Sequence, residues 1–148
     1  MTGVQTCALP ILLFKESNPP ACFARLKTLG LLKNVHPDLH WTTQDTADYR
    51  RLVAFPFDSA WIEADAELPD FLASWGGLIS WLGTERRTTI EALCDRFQFP
   101  ARVAAAIRGL ESLFSEFAAK LKSRRSEAIF FLEKIPFASL FYYDDRSE

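Results

Sequence analysis

The stretch ESNPPACFARLKTLGLLKNVHPDL, Glu16 to Leu39, holds a cap, a proline start, an amphipathic helix, a glycine stop and a second short turn. It reads as a helical hairpin. Ser17 or Asn18 can accept the free N–H groups of a helix start, and Pro20 at the first helical position gives up only an N–H that has no intrahelical partner. Phe23, Leu26 and Leu29 recur at helical spacing while Arg25 and Lys27 face away. Gly30 is placed to take the left-handed conformation that ends a helix. Leu31, Leu32 and Val35 then fold back on it, and His36-Pro37 closes the unit.

Downstream the signals stay helical. Thr42-Thr43-Gln44-Asp45 offers N-caps before Tyr49, Leu52 and Val53, with a break expected near Phe55-Pro56. Phe57 to Ala66 resumes, with Trp61 and Ile62 as its expected buried pair. From Leu68-Pro69, the residues Phe71, Leu72, Trp75, Leu78, Ile79 and Leu82 form a wide apolar stripe that Gly83 ends. Gly76-Gly77 inside it costs about 1 kcal/mol per glycine relative to alanine, which predicts a close helix approach there. Thr88 or Thr89 is expected to cap a helix carrying Ile90, Leu93, Cys94 and Phe97. After Phe99-Pro100 comes the longest helix, Ala101 to Leu121, with Val103, Ile107, Leu110, Leu113, Phe114, Phe117 and Leu121 repeating at three or four. Ser126 caps the next, which carries Ile129, Phe130 and Leu132, and Pro136 restarts a last one over Phe137 to Tyr143. The fold class is therefore all-α, an irregular multi-helix bundle.

The order ESNPP, LGLL and HPDL resembles the region just after the catalytic head and neck of bacterial tRNA nucleotidyltransferases and the related poly(A) polymerases. The resemblance continues through RFQFP, the long helix and SEAIFFLEKIPFASLFYY. It implies that residues 12–40 are the end of a neck-like, RNA-binding hairpin and that 41–148 are a helical body, truncated at its C-terminus. It implies as partner a tRNA or other RNA 3′ end, with no DNA and no membrane. The parent protein would add nucleotides from CTP and ATP, or ATP alone, with Mg2+, releasing pyrophosphate. In that family the glycine-rich motif, the aspartate pair and the nucleotide-selecting motif lie upstream of ESNPP, so no catalytic residue carries over and this chain is expected to be catalytically silent.

Residues 1–11, MTGVQTCALPI, match what a common sequencing adapter gives when translated, and are set aside as a scar. A signal peptide is the competing reading, but the stretch has no basic start. Arg146-Ser147-Glu148 reads as a second scar, so the chain is expected to be a piece of a longer protein.

The 148 residues are 49% hydrophobic and 24% charged, the composition of one globular domain. Thirteen Phe, four Trp and three Tyr can fill a sizeable core. No apolar run approaches the roughly 20 residues that span a bilayer. A net charge of −2 gives no overall attraction to nucleic acid, so any RNA contact must come from a local basic cluster. Cys22 and Cys94 lack metal-like spacing and read as reduced core thiols of a cytoplasmic protein.

Lys120, Lys122, Arg124 and Arg125 are that cluster, with Arg102 and Arg108 as weaker members and Arg86-Arg87 as an isolated pair. Cations at a helix C-terminus answer its partial negative charge. They can equally position RNA phosphates, which is what the resemblance favours. No metal site is expected: Asp144-Asp145 are adjacent and point apart on a helix, and Pro37 interrupts His36 and His40. From another functional class, a helical scaffold or protein-interaction module without an RNA role stands as the alternative.

Overall fold

Capping chemistry legible in the chain marks some of the helix starts. Asn18 caps α1 (Pro19–Thr28), its side-chain oxygen accepting from Ala21 N–H at 3.4 Å, with both prolines in the first turn. Gly30, at φ +75°, turns the chain into α2 (Leu31–Val35). Only glycine takes that left-handed conformation without strain. Thr42 and Asp45 then form a reciprocal capping box at the start of α3 (Thr43–Ala54): Asp45 N–H donates to the Thr42 hydroxyl at 3.2 Å, and Asp45 Oδ2 accepts from Thr42 N–H at 2.7 Å. After them come α4 (Ser59–Ala64), α5 (Leu68–Leu82), α6 (Arg87–Phe97), α7 (Ala101–Lys122), α8 (Arg125–Glu133) and α9 (Phe137–Ser147). The computed structural model describes residues 13–54 and 59–147, with side chains described up to 144, and these contain helices and no strand. The expected break at Phe55-Pro56 and the residues 1–11 lie outside the described residues.

The 22 residues of α7 make a rod about 33 Å long at 1.5 Å per residue, and it packs against α5, α6, α8 and α9. It is the central helix that its stripe predicts. Val103, Ile107 and Leu110 are fully buried in one core with Leu78, Ile79, Leu82, Ile90 and Leu93, and Leu113 is buried as well. Where α9 crosses α7, the buried Ser139 hydroxyl donates to the Ala106 carbonyl at 2.5 Å. The glycine pair of α5 also gives the close approach expected of it: Gly76 lies under Tyr142 of α9, and Gly77 under Phe14.

The hairpin shares this core rather than standing apart from it. Phe23 of α1 stacks flat on Trp41 at 4.4 Å and 9°, with Trp81 of α5 tilted 4.7 Å from it. Both indoles keep a polar partner, as buried tryptophans do. Trp41 Nε1–H donates to Thr46 Oγ1 at 2.8 Å, and Trp81 Nε1–H to the His40 carbonyl at 3.0 Å. The core is thus continuous across residue 40.

Several local expectations are corrected. Neither Thr88 nor Thr89 caps α6, which begins at Arg87; the Thr89 hydroxyl instead donates to Asp38 Oδ2 at 2.9 Å and ties the HPDL corner to that helix. Ser126 lies inside α8 and does not cap it. Ile62 is exposed while Trp61 meets Phe141 edge-on at 5.5 Å. Cys22 and Cys94 are half-buried rather than core, and burial pushes the Cys94 thiol up. Leu121, Ile129 and Phe130, 50 to 63% exposed, belong to no core: Leu121 lies in the last turn of α7, and Ile129 and Phe130 lie on the outward side of α8, next to buried Ala128.

Candidate nucleic-acid interface

The six predicted basic residues separate into two groups. Arg102 and Arg108 lie on the first half of α7 and are held by carboxylates. Arg108 forms a two-pronged pair with Glu91 of α6 at 2.6 and 2.8 Å. That contact lowers the Glu91 carboxyl and raises the Arg108 guanidinium. Arg102 reaches Asp65 at 3.0 Å and lies over the Phe71 ring at 4.2 Å. The isolated pair is likewise engaged: Arg86 meets Asp38 at 3.2 Å, and Arg87 meets Glu111 and Glu116 at 3.1 and 3.3 Å. These arginines hold helices together.

Lys120, Lys122, Arg124 and Arg125 gather at the other end, around the turn from α7 into α8. None forms an ion pair with a described residue. Lys122, Arg124 and Arg125 are exposed and Lys120 is half-exposed. Lys120 and Lys122 occupy the last turn of α7, where the helix dipole favours them. Arg124 and Arg125 do not share that reason. They are the N-cap and first residue of α8, at the positive end of its dipole, beside amide groups that no side chain caps. The first turn of α8 carries Glu127, whose carboxylate accepts from the Ser123 hydroxyl at 2.6 Å. Over residues 120–134 five cations face two carboxylates, a net +3, which leaves −5 for the rest of a chain whose total is −2.

Sequence reasoning missed two members of this surface. Lys134 joins Lys120, Glu127, Phe130 and Phe131 around an open cleft of about 250 Å3 between α7 and α8. Phe130, 63% exposed, forms part of its wall. The signal was present: in a nine-residue helix with Ile129, Phe130, Phe131 and Leu132 in succession, the four side chains point about 100° apart and cannot all face one core.

A second polar group lies at the HPDL corner. His36 Nδ1 accepts from Asp38 N–H at 3.1 Å, so this histidine caps a turn. His40 Nδ1 lies 3.4 Å from the buried carboxylate of Glu85, which burial pushes up and His40 pulls down. The Thr89 hydroxyl and the Arg86 guanidinium hold the Asp38 carboxyl below its usual range. Among the described residues no group of three or more His, Cys, Asp or Glu can hold a metal ion, and Asp144 is exposed on α9.

No helix among the described residues is long and apolar enough to cross a membrane. No protein-family model, curated protein or solved structure matches the chain.

Proposed function

We propose that the chain is a helical, RNA-supporting part of a protein that adds nucleotides to RNA 3′ ends, with the chemistry residing in a part of that protein other than the described residues. Arg124 and Arg125 carry the reading. They are two exposed guanidinium groups at the positive end of a helix, where internal electrostatics disfavours them and a phosphate oxygen would satisfy both them and the free amides. Lys120 and Lys122 extend the same surface along α7. The resemblance of ESNPP, LGLL and HPDL to the region behind the head of tRNA nucleotidyltransferases supplies the identity of the anion, a tRNA or other RNA 3′ end. It also supplies CTP, ATP and magnesium as reactants of the parent protein.

Titration of a labelled tRNA at several salt concentrations tests this. The full chain is expected to bind with a steep salt dependence, and the triple variant Lys122→Ala, Arg124→Ala, Arg125→Ala to lose roughly 2 to 3 units of the log–log slope. Binding that the triple variant leaves unchanged removes the patch from the reading. Exposed Leu121, Ile129 and Phe130 favour a second reading, a protein-interaction module. Absence of any tRNA binding leaves that one standing.

A further inference from the structure

The cleft between the last turn of α7 and α8 combines features that phosphate contacts alone do not require. Lys120 stands on the α7 side. Glu127, Phe130, Phe131 and Lys134, which recur at helical spacing, supply the α8 side. The Phe131 ring is fixed from behind, nearly parallel to Phe117 at 6.2 Å and 14°. Phe117 in turn meets Tyr143 edge-on at 5.6 Å. Phe130 has no such backing and is 63% exposed. An aromatic face left in water beside two ammonium groups that pair with no described residue is an arrangement that suits a flat, π-faced group attached to an anion.

We propose that this cleft takes one unpaired nucleotide of an RNA strand, its base stacked on Phe130 and its phosphate drawn to Lys120 and Lys134. This rests on the RNA reading and names the part of the RNA bound: a single-stranded segment. The cleft's 250 Å3 exceeds the roughly 150 Å3 that houses a single benzene ring, so one base fits. Glu127, in the first turn of α8, repels a phosphate from its own part of the cleft. The strand's anions are therefore placed at its lysine-bearing edges and toward Arg124 and Arg125. Paired bases are stacked on each other and cannot offer a free face, whereas an unpaired base can.

An anionic membrane also attracts cations set among apolar groups, but Ile129 and Phe130 are neighbours about 100° apart on α8 and do not make one membrane-facing stripe. The cleft is concave, with cations on both sides, which fits a strand better than a plane.

The experiment compares a labelled twelve-nucleotide oligo(A), a blunt RNA duplex of equal length and phosphatidylserine vesicles, each titrated against the full chain and against Phe130→Ala, Phe130→Trp and Lys120→Ala/Lys134→Ala. Phe130 and both lysines lie outside the core, so thermal unfolding is expected to be unchanged in all variants. The single strand is expected to bind more tightly than the duplex. Phe130→Ala should weaken it at least about fivefold, the lower end of what one base–aromatic stack contributes, without altering the salt slope. Phe130→Trp should retain binding and gain a tryptophan emission that the oligonucleotide quenches. The double lysine variant should flatten the slope. Equal single-strand affinity for Phe130→Ala and the natural chain overturns the inference. If tRNA still binds in that case and the triple arginine–lysine variant still loses it, the phosphate reading survives alone. If no RNA binds, both fall, and vesicle binding that depends on Phe130 assigns the surface to lipid and overturns the nucleotide site.

Discussion

The hydroxyl of Tyr142 lies against the backbone of Gly76, so closely that α9 and α5 leave no space for a Cβ between them. Tyr142 is buried to 1% exposure and its ring cannot swing into solvent.

Gly76→Ala is therefore expected to destabilise the chain despite alanine's better helix propensity. Overpacking costs about 1 to 3 kcal/mol, which offsets the roughly 1 kcal/mol that alanine gains in a helix interior. After the hydroxyl, the nearest obstruction is Tyr142 Cζ at 3.3 Å. Adding Tyr142→Phe should thus recover part of the loss. A thermal-unfolding double-mutant cycle reads the coupling, and strictly additive effects would contradict the contact.

Phe23→Ala removes a ring that packs on both Trp41 and Trp81 and joins the hairpin to the body. The expected loss is about 3 to 5 kcal/mol in denaturant titration. The same truncation at Phe130 should cost less than about 0.5 kcal/mol, since that ring has no core to leave. Similar losses at the two sites would mean that α8 packs differently from the arrangement described.

Glu85 has one carboxylate oxygen with no hydrogen-bond partner, and burial raises its carboxyl above the unfolded value near 4.5. The folded state then binds a proton more readily than the unfolded state. Stability from the protonated carboxyl is full below that unfolded value and is lost as pH rises through the raised folded value. Glu85→Gln, which stays neutral, should be more stable than the natural chain at pH 7, and the gap should close as pH falls toward 4.5. Asp38 runs the other way: its lowered pKa adds stability above its unfolded value, and that is lost as pH falls through the folded one. Thr89→Val should weaken that loss on acidification. A pH series of unfolding midpoints reads both, and a Glu85→Gln gap that widens in acid would refute the assignment.

Arg102→Ala and Arg108→Ala are expected to leave the salt dependence of tRNA binding as it is, because both guanidinium groups are held by Asp65 and Glu91. Each should lower stability slightly, by less than about 1 kcal/mol for such exposed pairs. A slope that falls by about one unit for either would place that arginine on a phosphate and enlarge the interface.

Much of the helix pattern was legible because it is written in nearest-neighbour chemistry. Asn18, Gly30, the Thr42/Asp45 box and the α7 stripe from Val103 to Leu113 act within one or two turns, and the structure places each as the spacing predicts, whereas Phe114 and Leu121 further along that stripe are exposed. The sites that misled are those where one residue had two partners to choose from. Thr89 could cap its own helix or reach across to Asp38, and only the docked HPDL corner makes the second choice available. Leu121, Ile129 and Phe130 read as core because periodicity gives the direction of a side chain and not whether anything lies opposite it.

The interface divides along the same line. That Lys120, Lys122, Arg124 and Arg125 are close together follows from their numbers alone, as do helical content, charge and the prediction of close approach at Gly76-Gly77. Which cations are free depends on carboxylates far away in the chain, such as Glu91 for Arg108 and Asp65 for Arg102, and on which face of α8 meets α7. Capping and periodicity are local energies that a sequence states directly, whereas ion pairing and exposure are set by what the folded chain brings within a few ångströms. Only the tertiary structure could separate the arginines that hold this bundle together from the cations it leaves facing outward.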